Sequence, residues 1–343
     1  MAVRFAFAGF RHPHLFDMYD RCRKHAAIEV VASCEEDAAT RAQLQRDQRA
    51  DITHTSFDRM LAEVDCDVIA VGDYYERRGP LILAALEAGR HVITDKPPCI
   101  RLEELDRIEQ LVQARQRVVG CMLDMRDLPV YLGLRDAIRE NRIGKIQAVS
   151  FEGQHPLMYG RRPAWYFEPG KHGGVFNDIA IHALDFLPWA TGLAIESITA
   201  ARGWNATVPQ HPEFQQCGQA LLVLQGGAGV TCDVSYLTPD SFAYKFPHYW
   251  RFTFWGSDGV LEAAVNSPHV TLFRNGDTAP QELPLPPGRP GAYLDSFLQE
   301  IQGKRQDLHL SSSDGLRAAR LALLLQQAAD QQQHRVAVHS HSP

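Results

Sequence analysis

The hydrophobic pattern changes its period once along the chain, and the change divides it. From Val3 to Met122 short apolar runs alternate with helical patterns. VRFAFAG leads to a helix from about Leu15 to His25, and IEVVASC to helices from Asp37 to about Arg46 and in FDRMLAEV. DVIAVG leads to GPLILAALEAG, HVIT to LEELDRIEQLVQARQ, and RVVGCM closes the series. Strands alternating with helices of this length predict βαβ units and a parallel, doubly wound sheet. Beyond Met122 one helical pattern, YLGLRDAIRENRIGK, gives way to longer strand-like runs: IQAVSFEG, AIESITAARGW, QALLVLQ, GVTCDVSYL, YWRFTFWG, GVLEAAV and HVTLFRN. The turn signals QGGAG, GSDG and RNGD between them predict a large, mostly antiparallel sheet. LPLPPGRPG reads as a surface loop, and a last helix is expected after Ser312-Ser313-Asp314. The organisation expected is a doubly wound domain over 1–122 and an α+β domain with an open sheet over 123–343.

One helical stretch breaks its own pattern. GGVFNDIAIHALDF has Phe176, Ile179, Ala183 and Phe186 on an apolar stripe, yet carries Asp178 and His182 four residues apart. That spacing puts both side chains on one helical face, so a carboxylate and an imidazole can serve one point. A buried His–Asp pair that satisfies itself is the structural alternative.

Composition narrows the partners. The net charge is −6 in 343 residues, the pI is near 6.2, and no basic stripe interleaves with aromatics, which disfavours nucleic acid and anionic membrane and favours a small polar substrate. The longest apolar helical run, LRAARLALLLQQAA, is too short and too charged to span a bilayer. MAVRFAFAGF has no signal-peptide layout, so a cytoplasmic protein is expected. Seven cysteines without a CxxC pair argue against a disulfide framework and a zinc ribbon, and the histidine-rich HSHSP reads as a solvated tail.

In a doubly wound sheet ligands sit beyond the carboxyl ends of the strands. The first such turn, GFRHPH, keeps Gly9 of a dinucleotide fingerprint but has Arg11 and His14 at the other two glycine places. The Arg11 guanidinium can bond a phosphate oxygen, or it is a solvated surface arginine. After IEVVASC stand Glu35, Glu36 and Asp37; a carboxylate here accepts from both ribose hydroxyls and repels a 2′-phosphate, so Glu35 points to NAD rather than NADP. HVIT ends in TDKPP, where two prolines fix the backbone behind Lys96.

The glycine turn, the acid after the second strand, Asp95-Lys96-Pro97 and GG-x-x-x-D-x-x-x-H together resemble the GFO/IDH/MocA family of nicotinamide-dependent oxidoreductases. The resemblance extends through ALEAGRHVITDKP, HGGVFNDIAIHALDFLPWATG and FWGSDGVLE, nearly the whole chain. It implies a Rossmann domain that binds NAD and a second domain for substrate binding and for homodimer or homotetramer assembly through its sheet. By position Lys96, Asp178 and His182 correspond to the catalytic group of inositol-dehydrogenase-like members. There His182 is the base, Asp178 orients it, and Lys96 bonds the substrate oxygen. The implied cofactor contacts are Gly9, Phe10, Arg11, His12, Glu35, Asp73, Tyr74, Asp95, Lys96 and Met122. In MYGRRPAWYF, Arg161 and Arg162 offer donors and Trp165 and Tyr166 offer faces to a sugar, polyol or acid, with His155 nearby; a subunit-contact or solvated loop is the other reading. Two departures stand out. Asp95 replaces a glutamate, and GDYYERRG stands where relatives carry a Pro-Asn-type turn and a histidine. The expected activity is an NAD-dependent dehydrogenase or reductase of a sugar, polyol or related compound. A dinucleotide-binding regulator without turnover, and an enzyme whose permanently bound NAD serves two sugar half-reactions, are the alternatives.

Overall fold

The computed structural model describes residues 2–338; the HSHSP tail lies outside the described residues. The chain forms two compact units. The first takes in the chain up to Leu123 with Gly170–Gly173 and Tyr293–Ala319; the second takes in Asp124–Pro169, Gly174–Ala292 and the chain from Arg320.

In the first unit β1 (Val3–Ala8), β2 (Ile28–Cys34), β3 (Val68–Val71), β4 (His91–Asp95) and β5 (Val119–Met122) form one sheet in the order β2-β1-β3-β4-β5, with every pairing parallel. β3 and β5 are buried throughout, as strands with both faces covered must be. The helices are α1 (His14–Lys24), α2 (Ala38–Arg46), α3 (Phe57–Glu63), α4 (Tyr75–Glu87) and α5 (Leu102–Arg115). Asp37 caps α2 by accepting from the Thr40 N–H at 2.7 Å, and Ser56 accepts from the Arg59 N–H at the start of α3. The helix expected from Gly79 begins instead at Tyr75, leaving Pro80 inside it. Gly-Pro reads locally as a start signal, but Tyr75 and Arg78 are fully buried, and their tertiary partners fix the earlier turn.

Tyr293–Ala319, expected in the second domain, packs with the first sheet. Phe297 meets Phe5 edge-on at 6.3 Å between ring centroids, and a Cβ on Gly120 would come within 2.7 Å of the same ring. Ser312 donates to the Val119 carbonyl at 2.9 Å. A helix's apolar stripe reveals that it packs, not what it packs on, so this return could not be read from periodicity.

The second unit carries α6 (Pro129–Arg139), β6 (Ile146–Pro156), α7 (Ile181–Thr191), β7 (Ile195–Trp204), β8 (Cys217–Leu224), β9 (Gly229–Thr238), β10 (Arg251–Gly256), β11 (Gly259–Ala263), β12 (Val270–Arg274), β13 (Gln281–Leu283) and β14 (His334–Ala337). α8 (Ala292–Ile301) belongs to the first unit from its second residue, and α9 (Ser312–Asp330) joins the second from Arg320. The sheet runs β13-β12-β11-β10-β6-β9-β8-β7-β14, parallel between β6 and β9 and antiparallel elsewhere, which is the open, mostly antiparallel sheet expected. Its inner face carries Phe151, Phe252 and Phe254, with Tyr131 of α6 edge-on to Phe252 and to Phe186 of α7. α8 and the edge strands β13 and β14 were not anticipated; the strands are short and carry few apolar residues. The α9 cap is Ser311, which accepts from the Asp314 N–H at 3.1 Å while its own N–H donates to the Asp314 carboxylate, one residue before the serines expected to cap it. LPLPPGRPG is held rather than loose: the N–H groups of Arg289 and Gly291 donate to the Asp127 carbonyl and carboxylate.

All seven cysteines are buried, and none of them is in a disulfide. Among the described residues no helix is long and apolar enough to cross a membrane.

Candidate active site

The strand order reverses between β1 and β3, and the crevice outside their carboxyl ends is where such sheets bind ligands. β1 is followed by Gly9, which has a φ of +78° and whose Cβ would lie 2.5 Å from that of Asp73, so only glycine fits. Its N–H donates to the Cys34 carbonyl, tying the ends of β1 and β2. Glu35 is fully buried there. Its two oxygens accept the N–H groups of Phe10 at 2.6 Å and Asp37 at 2.8 Å. Burial pushes its carboxyl above the ordinary value, against the downward pull of those two donors. Arg11, expected on a pyrophosphate, grips Asp73 with both arms, Nε to Oδ1 at 2.6 Å and Nη2 to Oδ2 at 2.7 Å. Its guanidinium lies 4.5 Å from the Tyr74 ring centroid, and Lys171 Nζ lies 4.9 Å from that centroid.

The end of β4 carries a buried polar network. Asp95 accepts from Arg78 Nη2 at 2.7 Å, His12 Nδ1 lies 2.5 Å from the same oxygen, and His14 Nδ1 lies 3.3 Å from the other. Burial lowers His12 to about 3 despite Asp95 pulling upward, so the ring is neutral near neutral pH. The Tyr75 hydroxyl stands 3.2 Å from its Nε2 in hydrogen-bonding contact. Burial would raise Asp95, but the nearby Arg78, His12 and His14 hold it well below the usual carboxylate range. His12, His14 and Asp95 have the donor types of a metal site, all within 4.8 Å, but the Arg78 guanidinium shares the Asp95 oxygen that His12 uses, which makes the carboxylate a poor cation ligand. Lys96 follows directly and is buried, and Asp95 stands opposite Met122 in the β4–β5 register.

In the second unit the stretch read as one helix is a π-helical turn, Phe176–Ala180, running into α7. Such turns are rare and concentrate at functional sites. Every residue from Val175 to Leu187 is buried, so its polar members need partners. Asp178 accepts the Tyr236 hydroxyl, and burial beside that carboxylate raises the tyrosine well above its ordinary value. Asp185 pairs with Arg126 through two bonds. His182 presents its ring edge-on to Trp250 at 5.2 Å, and Trp250 holds φ +53°, an uncommon conformation for a bulky residue. His155 lies edge-on to Trp250, Tyr249, Tyr236 and Tyr244, all within 6.2 Å between centroids.

Residues 3–122 match the family described as "Oxidoreductase family, NAD-binding Rossmann fold", and residues 131–262 match the "GFO/IDH/MocA C-terminal domain". The chain belongs to the GFO/IDH/MocA family of oxidoreductases. Two curated relatives are similar over most of their length. The 1,5-anhydro-D-fructose reductase of Ensifer adhaerens is 28% identical over 80% of this chain and 81% of its own. The inositol 2-dehydrogenase of Rhizobium meliloti (strain 1021) is 24% identical over 78% and 79%. In fold, the chain is similar to an inositol dehydrogenase homolog from Azotobacter vinelandii, solved with NAD+, with a TM-score of 0.81, 18% identity and coverage of 98% of both chains.

Within this GFO/IDH/MocA chain the first unit holds Gly9, Phe10, Arg11, His12, Glu35, Asp73, Tyr74, Asp95, Lys96 and Met122 at the ends of its strands. The second holds Asp178, His182, His155, Arg162, Trp165 and Tyr166. Arg162, expected as a substrate donor, is bonded to its own loop. Its Nε and Nη2 bond the Leu157 and Pro156 carbonyls, and its guanidinium lies over the rings of Tyr166 and Tyr236. Trp165 and Tyr166 are buried and stacked on each other at 4.2 Å. Arg161 stands apart, with two thirds of its side chain exposed and Asp240 3.8 Å away. Sequence reasoning missed Arg78, Tyr75, Tyr236 and Trp250. Tyr236 had a usable signal: it continues the inward alternation Val230, Cys232, Val234, and a buried tyrosine hydroxyl needs a partner. Arg78 had none, because ERRG reads as a solvated helix start.

Proposed function

We propose that the protein is an NAD-dependent dehydrogenase or reductase of a sugar, polyol or related hydroxy/keto compound, with Lys96, Asp178 and His182 acting at the CH–OH group. The observation that carries this reading is the buried Asp178 carboxylate, held by Tyr236 in the same π-to-α run that presents His182. In the oxidative direction His182 takes the hydroxyl proton, Asp178 steadies the charged imidazole, and the Lys96 ammonium bonds the substrate oxygen as negative charge develops. NAD, when bound, supplies the hydride acceptor or donor. The first unit fits that cofactor: its glycine turn leaves no side chain at Gly9, and a carboxylate, Glu35, closes β2. Glu35 favours NAD over NADP, since a 2′-phosphate would approach a buried acid.

The names of the two curated relatives, an anhydrofructose reductase and an inositol dehydrogenase, support the substrate class. Assembly as a homodimer or homotetramer belongs to the same reading. Leu221, Leu237, Trp255 and Phe273 stand exposed on the sheet face away from α6 and α7, where a second copy would cover them. A cytoplasmic location is proposed with it. A regulator that binds dinucleotide without turnover is the second reading, and the Arg11–Asp73 clasp beside the glycine turn favours it. The test is an absorbance scan of purified protein for copurified cofactor, then a panel of myo-inositol, 1,5-anhydro-D-fructose and common aldoses with NAD(H) and NADP(H). Turnover with NAD(H) supports the enzyme; tight NADH binding with no turnover across the panel supports the regulator.

A further inference from the structure

Arg78 is fully buried, and its guanidinium bonds two segments that each follow a strand at the crevice. Nε donates to the Asp73 carbonyl at 2.7 Å, after β3. Nη1 donates to the carbonyls of Asp95 and Pro97, each at 3.0 Å, and Nη2 to the Asp95 carboxylate at 2.7 Å. The residue between those two carbonyls is Lys96. A single planar group thus holds the backbone on both sides of the lysine and ties it to Asp73, whose carboxylate grips Arg11 in the glycine turn. The Tyr75 ring lies 4.7 Å from the Arg78 carbon centre, and His12 and the guanidinium share one Asp95 oxygen. Burying a guanidinium is costly unless its N–H groups are bonded, and here three of the four bonds converge on Asp95–Pro97. Lysine could not replace it, since an ammonium is a point donor and these acceptors are spread around a plane.

We propose that Arg78 is the positioning residue for Lys96. It sets where the ammonium stands by clamping the carbonyls of the residues before and after it. The departures in GDYYERRG and at 95 are then one device: a long donor, Arg78, from that stretch and a short carboxylate before the lysine. This rests on the proposed role of Lys96 in the reaction, and the experiment separates the two.

The full-length protein, Arg78→Lys, Arg78→Met, Lys96→Met and the Arg78→Met/Lys96→Met double variant are compared. Two quantities are read: turnover of myo-inositol and 1,5-anhydro-D-fructose, and the rate of Lys96 acetylation by trace acetic anhydride across pH, followed by peptide mass spectrometry. Arg78→Lys keeps the charge and guards against misfolding of the methionine variant, with melting recorded for each. The expected result is a severalfold change in Lys96 acetylation and a shifted pH midpoint in both Arg78 variants, larger in Arg78→Met. Turnover should fall by ~10²-fold, the typical cost of displacing a reacting group by about an ångström. The double variant should be no worse than Lys96→Met. An unchanged acetylation profile in folded Arg78→Lys and Arg78→Met, or fully additive losses in the double variant, overturns the proposal. Full turnover in Lys96→Met overturns the role of Lys96 instead, while the acetylation profiles still decide whether Arg78 positions it.

Discussion

The Tyr236 hydroxyl donates to the carboxylate of Asp178, joining an inward position of β9 to the π-helical turn before α7. A hydrogen bond to a charged group contributes ~1.5–3 kcal/mol, and removing the donor leaves a buried carboxylate without it. Tyr236→Phe is therefore expected to cut turnover about 10-fold or more through a less firmly held Asp178 and to lower the melting temperature by a few degrees. Steady-state kinetics beside calorimetry checks it; wild-type turnover would show that Asp178 does not depend on this bond.

The turn that carries Asp178 is also pinned from α9. Gln326 Oε1 accepts the Phe176 N–H at 3.1 Å, and its amide fills the space that a Cβ on Gly174 would occupy, 2.1 Å from the amide carbon. Gly174 has a φ of +93°. Gly174→Ala should thus lower stability by several kcal/mol, combining backbone strain of ~1–3 kcal/mol with displacement of Gln326. Gln326→Ala in the same chain should recover the clash but not the strain. Denaturant unfolding of the three variants separates the parts, and a neutral Gly174→Ala would refute the account.

Elements whose pattern is local were legible from the residues. The five parallel strands and the long strands of the second sheet carry their apolar period openly, and the Asp178–His182 spacing was visible because polar residues interrupt a buried run. The return of α8 to the first sheet, the early start of α4 and the π-turn were not. Each is decided by contacts far along the chain: Phe297 on Phe5, Arg78 on residues 95 and 97, Gln326 on Phe176. The partners of Arg162 are closer in sequence, the carbonyls five and six residues back at Leu157 and Pro156, but no periodic pattern marks a side chain that turns back on its own loop.

Glu35 accepts two backbone N–H groups and keeps lone pairs for others, since a carboxylate offers about four acceptor positions. The protein is expected to bind NAD(H) more tightly than NADP(H). Glu35→Ser should narrow that gap while costing stability, because it strands the N–H groups of Phe10 and Asp37. Calorimetric titration with both reduced cofactors is the measurement, and tighter NADPH binding by the unmodified protein would reject the assignment.

Acid should weaken the first unit through His12 and Asp95. In the unfolded chain an imidazole titrates near ~6.5, whereas burial lowers folded His12 to about 3, so across that window only the unfolded chain takes up the proton. Stability contributed by neutral His12 is complete above the upper limit and is lost as pH falls toward the lower one. Asp95, held well below its ordinary range against its burial by Arg78, His12 and His14, adds a loss that begins once pH drops below the unfolded value of ~3.9. His12→Asn, whose amide can still donate to Asp95 but does not titrate, should flatten the decline between about pH 6.5 and the acid limit. Urea unfolding at several pH values tests this; an identical slope in wild type and variant would place the acid sensitivity elsewhere.

The last expectation separates chemistry from packing at His182. If its imidazole is the base, His182→Ala loses proton transfer, typically worth ~10²–10⁴-fold, and turnover should fall by that order while NADH affinity stays within a few fold. Asp178→Asn keeps the shape and the capacity to meet Tyr236 but removes the charge that steadies the imidazolium, so its loss should be non-additive with His182→Ala. Both side chains are buried, in contact with Trp250 and Tyr236 respectively, so the competing account is a pair kept for packing. That account predicts a marked drop in melting temperature and ordinary turnover per folded molecule. Turnover normalised to the folded fraction, measured beside melting on whichever panel compound reacts, decides between them. Large kinetic losses with nearly unchanged melting assign His182 and Asp178 to the reaction, and the reverse pattern removes them from it.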